Sequence, residues 1–186
     1  MDTAEVNYEA LITSWIEADA TRYAALTLAS DLRLNDWCLS AGFLRNLVWD
    51  NLHQKHKPTP LNDLDLVYFD PRNVSPEVDF ALERQLKSRL ALPWSVKNQA
   101  RMHVQNSDHP YLSTADAMSY WPEVETAVGV KLTKDSKLAF VAPFGLDALF
   151  TRTITINPKR KKPEVFAKRL QSKHWLRIWP ELCVIS

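Results

Sequence analysis

The sequence predicts an α+β fold, and three observations point there. Helical and strand periodicities interleave along the chain without a strict strand–helix–strand rhythm. Proline and glycine breakers fall between the periodic segments. The 186 residues, 46% hydrophobic and 24% charged, contain no low-complexity tract. A chain of this length suits one domain spanning residues 1–186. It can bury roughly two-thirds of its unfolded surface, so a core needs no covalent staple.

The elements follow in order. Residues 4–29 repeat apolar side chains at helical spacing (Leu11, Ile12, Trp15, Ile16, then Tyr23 and Leu26), as one long helix or two short ones. Residues 36–43 form a short apolar segment around Gly42, the only glycine in the first 128 residues. Residues 44–56 are helical again, with Leu44, Leu47, Val48 and Leu52 on one face. Lys57-Pro58-Thr59-Pro60 stops that helix. In residues 61–70, Leu64, Leu66 and Tyr68 alternate with Asp63, Asp65 and Val67, a strand pattern. Asn73 or Ser75 caps a helix over residues 76–90.

A strand is expected over residues 94–104 and a short helix from Ser113 to Tyr120. Residues 127–132 and 137–142 read as strands separated by the turn Thr133-Lys134-Asp135-Ser136. A short helix over 144–150, a strand over 152–156 and a basic terminal helix over 163–179 complete the chain. No internal repeat is present.

Cys38 and Cys183 are far apart and in no metal-type spacing, so both read as buried thiols in a reducing compartment. Residues 1–8 carry Asp2 and Glu5 and no apolar leader segment. No run approaches the about 18 apolar residues of a membrane span, and a soluble cytoplasmic protein with no membrane partner is expected. The net charge is +1, yet residues 151–186 hold nine Lys or Arg against Glu164 and Glu181. The block Lys159 to Lys162 can attract phosphate or nucleic acid, or simply be a solvated linker. Seven Trp suit a core as readily as a binding face.

The chemistry centres on Asp63 and Asp65. Two apart on a strand, both carboxylates leave one face and repel each other unless a cation lies between them. Such hard oxygen ligands suit Mg²⁺ or Mn²⁺, which holds phosphate oxygens in its remaining positions. A solvated strand end with two turn-forming acids has the same sequence. The segment before it sharpens the choice. Gly42 in a turn feeding a helix lets a phosphate approach main-chain N–H groups, Phe43 among them. Arg45 and Asn46 on the first helical turn lie within reach of a phosphate or ribose. An ordinary turn and a surface ion pair are the alternatives for Gly42 and Arg45.

The order of glycine turn, helix, then a strand bearing Asp63-Leu64-Asp65 resembles the polymerase-β-type nucleotidyltransferase superfamily. Ala41-Gly42-Phe43-Leu44-Arg45-Asn46 is similar to the Gly-Gly-x-Val-Arg-Asp of its tRNA-nucleotidyltransferase branch. Those residues through Asp50, with residues 65–70, 94–103 and 142–150, resemble an uncharacterised bacterial nucleotidyltransferase-like family over nearly the whole chain. The resemblance implies a small mixed sheet backed by helices. It also implies metal-dependent transfer of a nucleoside monophosphate from a nucleoside triphosphate to a small molecule, protein or RNA acceptor.

The chain departs from that pattern in three places. Ala41 replaces the first small residue of the pair. The interval from Gly42 to Asp63 is long, so the loop over residues 54–60 is expected to bulge outward. Active superfamily members add a third carboxylate from a later strand, whereas residues 94–103 contain no acid. Within that strand Asn98 offers a carbonyl oxygen to a ligand, and His103 a base. Asp70, Glu77 and Asp79 are the acids in reserve.

Lys97 and Arg101, four apart on the expected strand, share a face that suits a triphosphate or an acidic acceptor as one common target, and a surface-exposed edge strand has the same sequence. The His53 and His56 pair has no third ligand in the sequence nearby. Asp147 reads as a first-turn acid. Trp175 and Trp179 either stack bases or pack a terminal helix on the sheet. Two alternatives to the transferase are a catalytically inactive nucleotide- or metal-binding relative, and a nucleic-acid-associated module built on the basic C-terminal region.

Overall fold

In the computed structural model, which describes residues 6–186, polar side chains divide the first helical segment in two. Asn7 accepts from the Ala10 N–H at 2.9 Å and opens α1, Tyr8–Glu17. Asp19 accepts from the Arg22 N–H at 2.9 Å and opens α2, Ala20–Asp31. A free cap residue mid-segment ends one helix by starting the next. The first residues of the 4–29 segment, and most of the leader-free start read over residues 1–8, lie outside the described residues.

The chain continues through β1 (Cys38–Ser40), α3 (Gly42–Leu52), β2 (Leu64–Tyr68) and α4 (Pro76–Arg89). Ser75, rather than Asn73, is the cap of α4. β3 covers Trp94–Asn98 and ends where Asn98 accepts from the Ala100 N–H, opening α5, Gln99–Asn106. The expected strand to residue 104 is therefore half helix, because Asn98 is a capping residue. α6 (Thr114–Met118) is capped by Ser113.

A 3₁₀ turn at Val124–Thr126 leads to β4 (Gly129–Leu132) and β5 (Leu138–Val141). A second 3₁₀ turn, Asp147–Phe150, precedes β6 (Thr153–Thr155). The terminal helix is broken: α7 (Pro163–Lys173) stops at His174, left-handed at φ 53°, and α8 (Trp175–Ile178) follows. β7, Cys183–Ile185, has no forerunner in the sequence pattern; it pairs in parallel with β6, which leaves Cys183 exposed rather than buried.

The main sheet has five strands in the order β3-β2-β1-β4-β5. β2 and β3 are parallel, with α4 as the crossover, and the other pairs are antiparallel. Leu39, Leu64, Leu66, Val96 and Val130 turn one face into a core closed by Ile12, Ile16, Leu26, Phe43, Leu44 and Leu86 from the helices. The alternation read in residues 61–70 is thus realised, with the leucines inward and Asp65 on the opposite face. On that face Gly129 meets Cys38 so closely that a Cβ would stand 2.5 Å from its Sγ.

A second core joins Trp49 of α3 to Ile154, Phe166, Trp175 and Trp179. The C-terminal tryptophans therefore pack on α3, not on the main sheet. Trp49 meets the rings of Trp175 and Trp179 edge-on at 6.3 and 5.1 Å. Asp50 ties the two cores together, accepting from Trp179 Nε1 at 2.8 Å and from the N–H and hydroxyl of Thr59 at 2.6 Å each. No described helix is long and apolar enough to cross a membrane.

Candidate active site

The turn between β1 and α3 carries the local strain of the molecule's cleft. Ala41 sits at φ 55°, ψ −121°, the first position of a type II′ turn, which glycine adopts freely and alanine at a cost of about 1–3 kcal/mol. The conformational demand thus falls on Ala41, one residue before the glycine. The carbonyl of Ala41 accepts from the N–H groups of Leu44 and Arg45. A Cβ at Gly42 would press on the side chain of Asn46 at 3.3 Å, so the missing side chain keeps the helix start open to the cleft.

That cleft encloses a cavity of about 760 Å³. Gly42, Arg45, Asn46, Asp63, Asp65 and Lys97 all line it, so six of the residues read as site residues converge on one space. Asp63 lies exposed immediately before β2, and Asp65 is half-buried within it. Burial, and then the neighbouring Asp63 charge, push the Asp65 carboxyl up to about 6; Lys173, a hydrogen bond from Ser95 and Arg45 pull the other way. Two unneutralised oxygen ligands at one cavity wall fit a hard divalent cation.

Arg45 holds a different position from the exposed phosphate ligand expected. It is buried, and its guanidinium stands 5.0 Å from the Trp49 ring and 4.7 Å from the Trp175 ring. It donates to Thr126 Oγ1 at 2.8 Å and to Asn46 Oδ1 at 3.0 Å. Burial lowers its pKa to about 10. One edge, Nε, has no protein partner among the described residues.

Three expected binding side chains are elsewhere. The Phe43 ring is fully buried in the main core beneath Arg22, leaving only main-chain groups toward the turn. Asn98 is fully buried and donates to the carbonyls of Asp70 and Asn73 at 2.8 and 2.9 Å, so its amide is a structural clamp. Arg101 belongs to α5 and pairs with the buried Asp79, so it shares no strand face with Lys97.

The reserve acids are committed too. Asp79 also accepts from the Tyr68 hydroxyl at 2.7 Å and the Asn98 N–H at 3.0 Å. Asp70 binds Arg72, and Glu77 binds the Ser75 hydroxyl. His103 turns Nδ1 to the Ala100 carbonyl at 3.1 Å. His53 sits at the end of α3, one ring nitrogen on the Trp49 carbonyl and the other accepting from the Glu181 N–H. Among the described residues no group of three His, Cys, Asp or Glu side chains is placed to hold a metal. The cleft-facing positions of β3, opposite Asp65 and Val67, are Ser95 and Lys97.

The 54–60 loop has an exposed tip, as expected, but Thr59 is pinned to Asp50, and Thr59 and Pro60 become cleft wall. The sequence reading missed the opposite wall. Arg160, Lys162, Arg169, Lys173 and Trp175 line the same cavity, so the basic C-terminal region is not a solvated linker. Arg160 and Lys162 pair with Asp108, and Arg169 with Glu123 at 2.6 Å. The excess of cations over residues 151–186 was the available signal; nothing local in it says which surface those cations meet.

A family model described as nucleotidyltransferase matches residues 27–184. The chain is similar to a solved structure described as a CCA-adding enzyme head domain, with 32% identity, 96% of each chain covered and a TM-score of 0.83. It shares its fold with a CCA-adding enzyme in complex with CTP (12% identity, TM-score 0.61) and with a tRNA-processing enzyme (15%, TM-score 0.54). It covers 95% and 87% of itself in these two matches but spans 43% of each of those chains. No curated protein matches the chain.

Proposed function

This chain belongs to the nucleotidyltransferase family, and from that membership we propose that it is a metal-dependent enzyme moving a nucleoside monophosphate from a nucleoside triphosphate to an acceptor. The acceptor's hydroxyl or other nucleophile bonds to the α-phosphorus, the α–β bridging bond breaks, and pyrophosphate leaves. The observation that carries this reading is that Asp63 and Asp65 open, together with Gly42, onto one cavity large enough for a triphosphate. A solved relative of this fold holds CTP, which supports a nucleoside triphosphate as the ligand.

Asp63 and Asp65 are the residues that would hold Mg²⁺ or Mn²⁺; when bound, such an ion neutralises phosphate charge and aligns the attacked group. The main chain at Gly42 approaches the phosphates, and Asn46 lies beside it for a ribose or phosphate oxygen. Lys97 supplies positive charge from the adjacent strand. Arg45 acts from its aromatic box as a fixed cationic floor, stronger for being partly desolvated. Two unpaired cysteines suit a reducing, cytoplasmic setting.

Titration calorimetry with ATP, GTP, CTP and UTP, with and without Mg²⁺, tests the binding half. Metal-dependent heat with at least one triphosphate is expected, and none with any of the four rejects the reading. Transfer of label from that triphosphate to RNA, protein or small acceptors tests the chemistry. A second reading, binding without transfer, is favoured by the absence of a third acid at the carboxylate pair among the described residues. It stands if triphosphate binds and label never moves.

A further inference from the structure

Six cationic side chains line the cleft: Arg45, Lys97, Arg160, Lys162, Arg169 and Lys173. Five are already engaged. Arg45 is bonded to Thr126 and enclosed by two tryptophan rings, and Lys97 Nζ lies 5.6 Å from the Phe80 ring. Arg160 and Lys162 share Asp108, and Arg169 holds Glu123. Lys173 alone has no ion pair, hydrogen bond or aromatic partner among the described residues. It lines the same cavity as Asp63 and Asp65.

The fold fixes where this lysine stands. Lys173 is the last residue of α7, and the left-handed His174 turns the chain sharply after it. Trp175 is then buried against Trp49 and Arg45, so the turn is anchored from the far side. An exposed lysine on a helix end ordinarily swings freely in solvent. This one lines the cavity that Asp63 and Asp65 also line, at a helix end anchored by a buried neighbour two residues on.

We propose that Lys173 binds the polyphosphate of the triphosphate, closing over it from the wall opposite β2, so that the C-terminal helix is part of the nucleotide site. The inference rests on the function proposed above. A polyphosphate carries more negative charge than one divalent ion held by Asp63 and Asp65 would offset, and Lys173 is the one cleft ammonium without a protein partner among the described residues. The C-terminal basic region then serves the cleft, and its recognition of anions is directed at phosphate chains rather than at a separate nucleic-acid surface.

The test compares Lys173→Ala, Lys173→Arg and Lys168→Ala by calorimetry against Mg²⁺–nucleoside triphosphate, the matching monophosphate, and inorganic tripolyphosphate. Lys168 is an exposed lysine of the same helix outside the cleft. Lys173→Ala is expected to weaken triphosphate and tripolyphosphate binding tenfold or more, with less than a threefold change for the monophosphate and an unchanged melting temperature. Lys173→Arg retains most of the affinity, and Lys168→Ala all of it. Equal triphosphate affinity in Lys173→Ala and the unaltered protein overturns the proposal while leaving the transferase reading intact. Equal losses in Lys168→Ala also overturn it, by reducing the effect to helix charge. Absence of triphosphate binding by the unaltered protein removes both.

Discussion

Ser40 and Asp65 stand directly opposite each other across the antiparallel β1–β2 pair, with the Ser40 hydroxyl donating to the Asp65 carbonyl at 3.2 Å. This register places the turn at Ala41 and Gly42 beside the strand end that bears Asp63 and Asp65, although a helix and a long loop separate them in sequence. Asp63→Asn and Asp65→Asn are each expected to abolish metal-dependent nucleotide binding, measured by calorimetry, while the circular dichroism spectrum is kept. Cooperative collapse of either variant would instead make the pair structural.

The acid pair also has a signature in stability. The ordinary value for Asp65 is 3.8, and in the folded chain it is about 6. Between those pH values the folded protein retains a proton that the unfolded chain has released. Stability from this group therefore falls as pH rises from about 4 to 6 and stays lower above that. Asp65→Asn removes the slope and is expected to stabilise the protein at pH 8 by about 1–3 kcal/mol, with the gain vanishing near pH 4. Urea unfolding at the two pH values measures it; a variant less stable at pH 8 contradicts the sign.

Ala41 holds a backbone conformation that costs alanine more than glycine. Ala41→Gly is expected to raise stability by about 1 kcal/mol, even though glycine has the larger unfolded-state entropy. Thermal unfolding of that single variant decides, and a lower melting temperature would place the strain elsewhere.

Arg45 is a packing residue as much as a charge. Arg45→Ala leaves a cavity beside the Trp49 and Trp175 rings and leaves the Thr126 hydroxyl unpaired, at an expected cost of about 2–4 kcal/mol. Arg45→Lys does not restore it, since an ammonium cannot lie flat on an aromatic ring and bond Thr126 and Asn46 together as a planar guanidinium does. Denaturant midpoints of the two variants give the comparison.

Asp79, Arg101, Tyr68 and Asn98 form a buried polar knot on the core side of the sheet. Asp79→Ala strands the Arg101 charge and two donors, and is expected to destabilise by about 3–5 kcal/mol. Nucleotide affinity at a temperature where the variant remains folded is expected to be unchanged. A selective loss of binding would return Arg101 to the site.

Much of this was legible beforehand because it is local. The alternation of Leu64, Leu66 and Tyr68 against Asp65 is a property of a strand, and the caps at Ser75 and Ser113 act within three residues. The misreadings share a cause. A capping amide and a coordinating amide are the same side chain, so the sequence alone does not separate Asn98 as a ligand from Asn98 as the cap that ends β3 and opens α5. Arg101 acquired its partner from α4, and Arg45 one of its two aromatic contacts, Trp175, from a helix far along the chain.

Sequence by itself determined most of the strands and helices, that Asp63 and Asp65 stand two apart at the start of a strand, and that a tight turn at Gly42 precedes them, since each depends on spacing and backbone chemistry within a few residues. Only the tertiary structure decided which cations share a cavity with those carboxylates. Coulomb attraction and burial depend on distance through space, and the fold brings Lys173, at the end of α7, into the cavity lined by a strand that the linear order keeps remote.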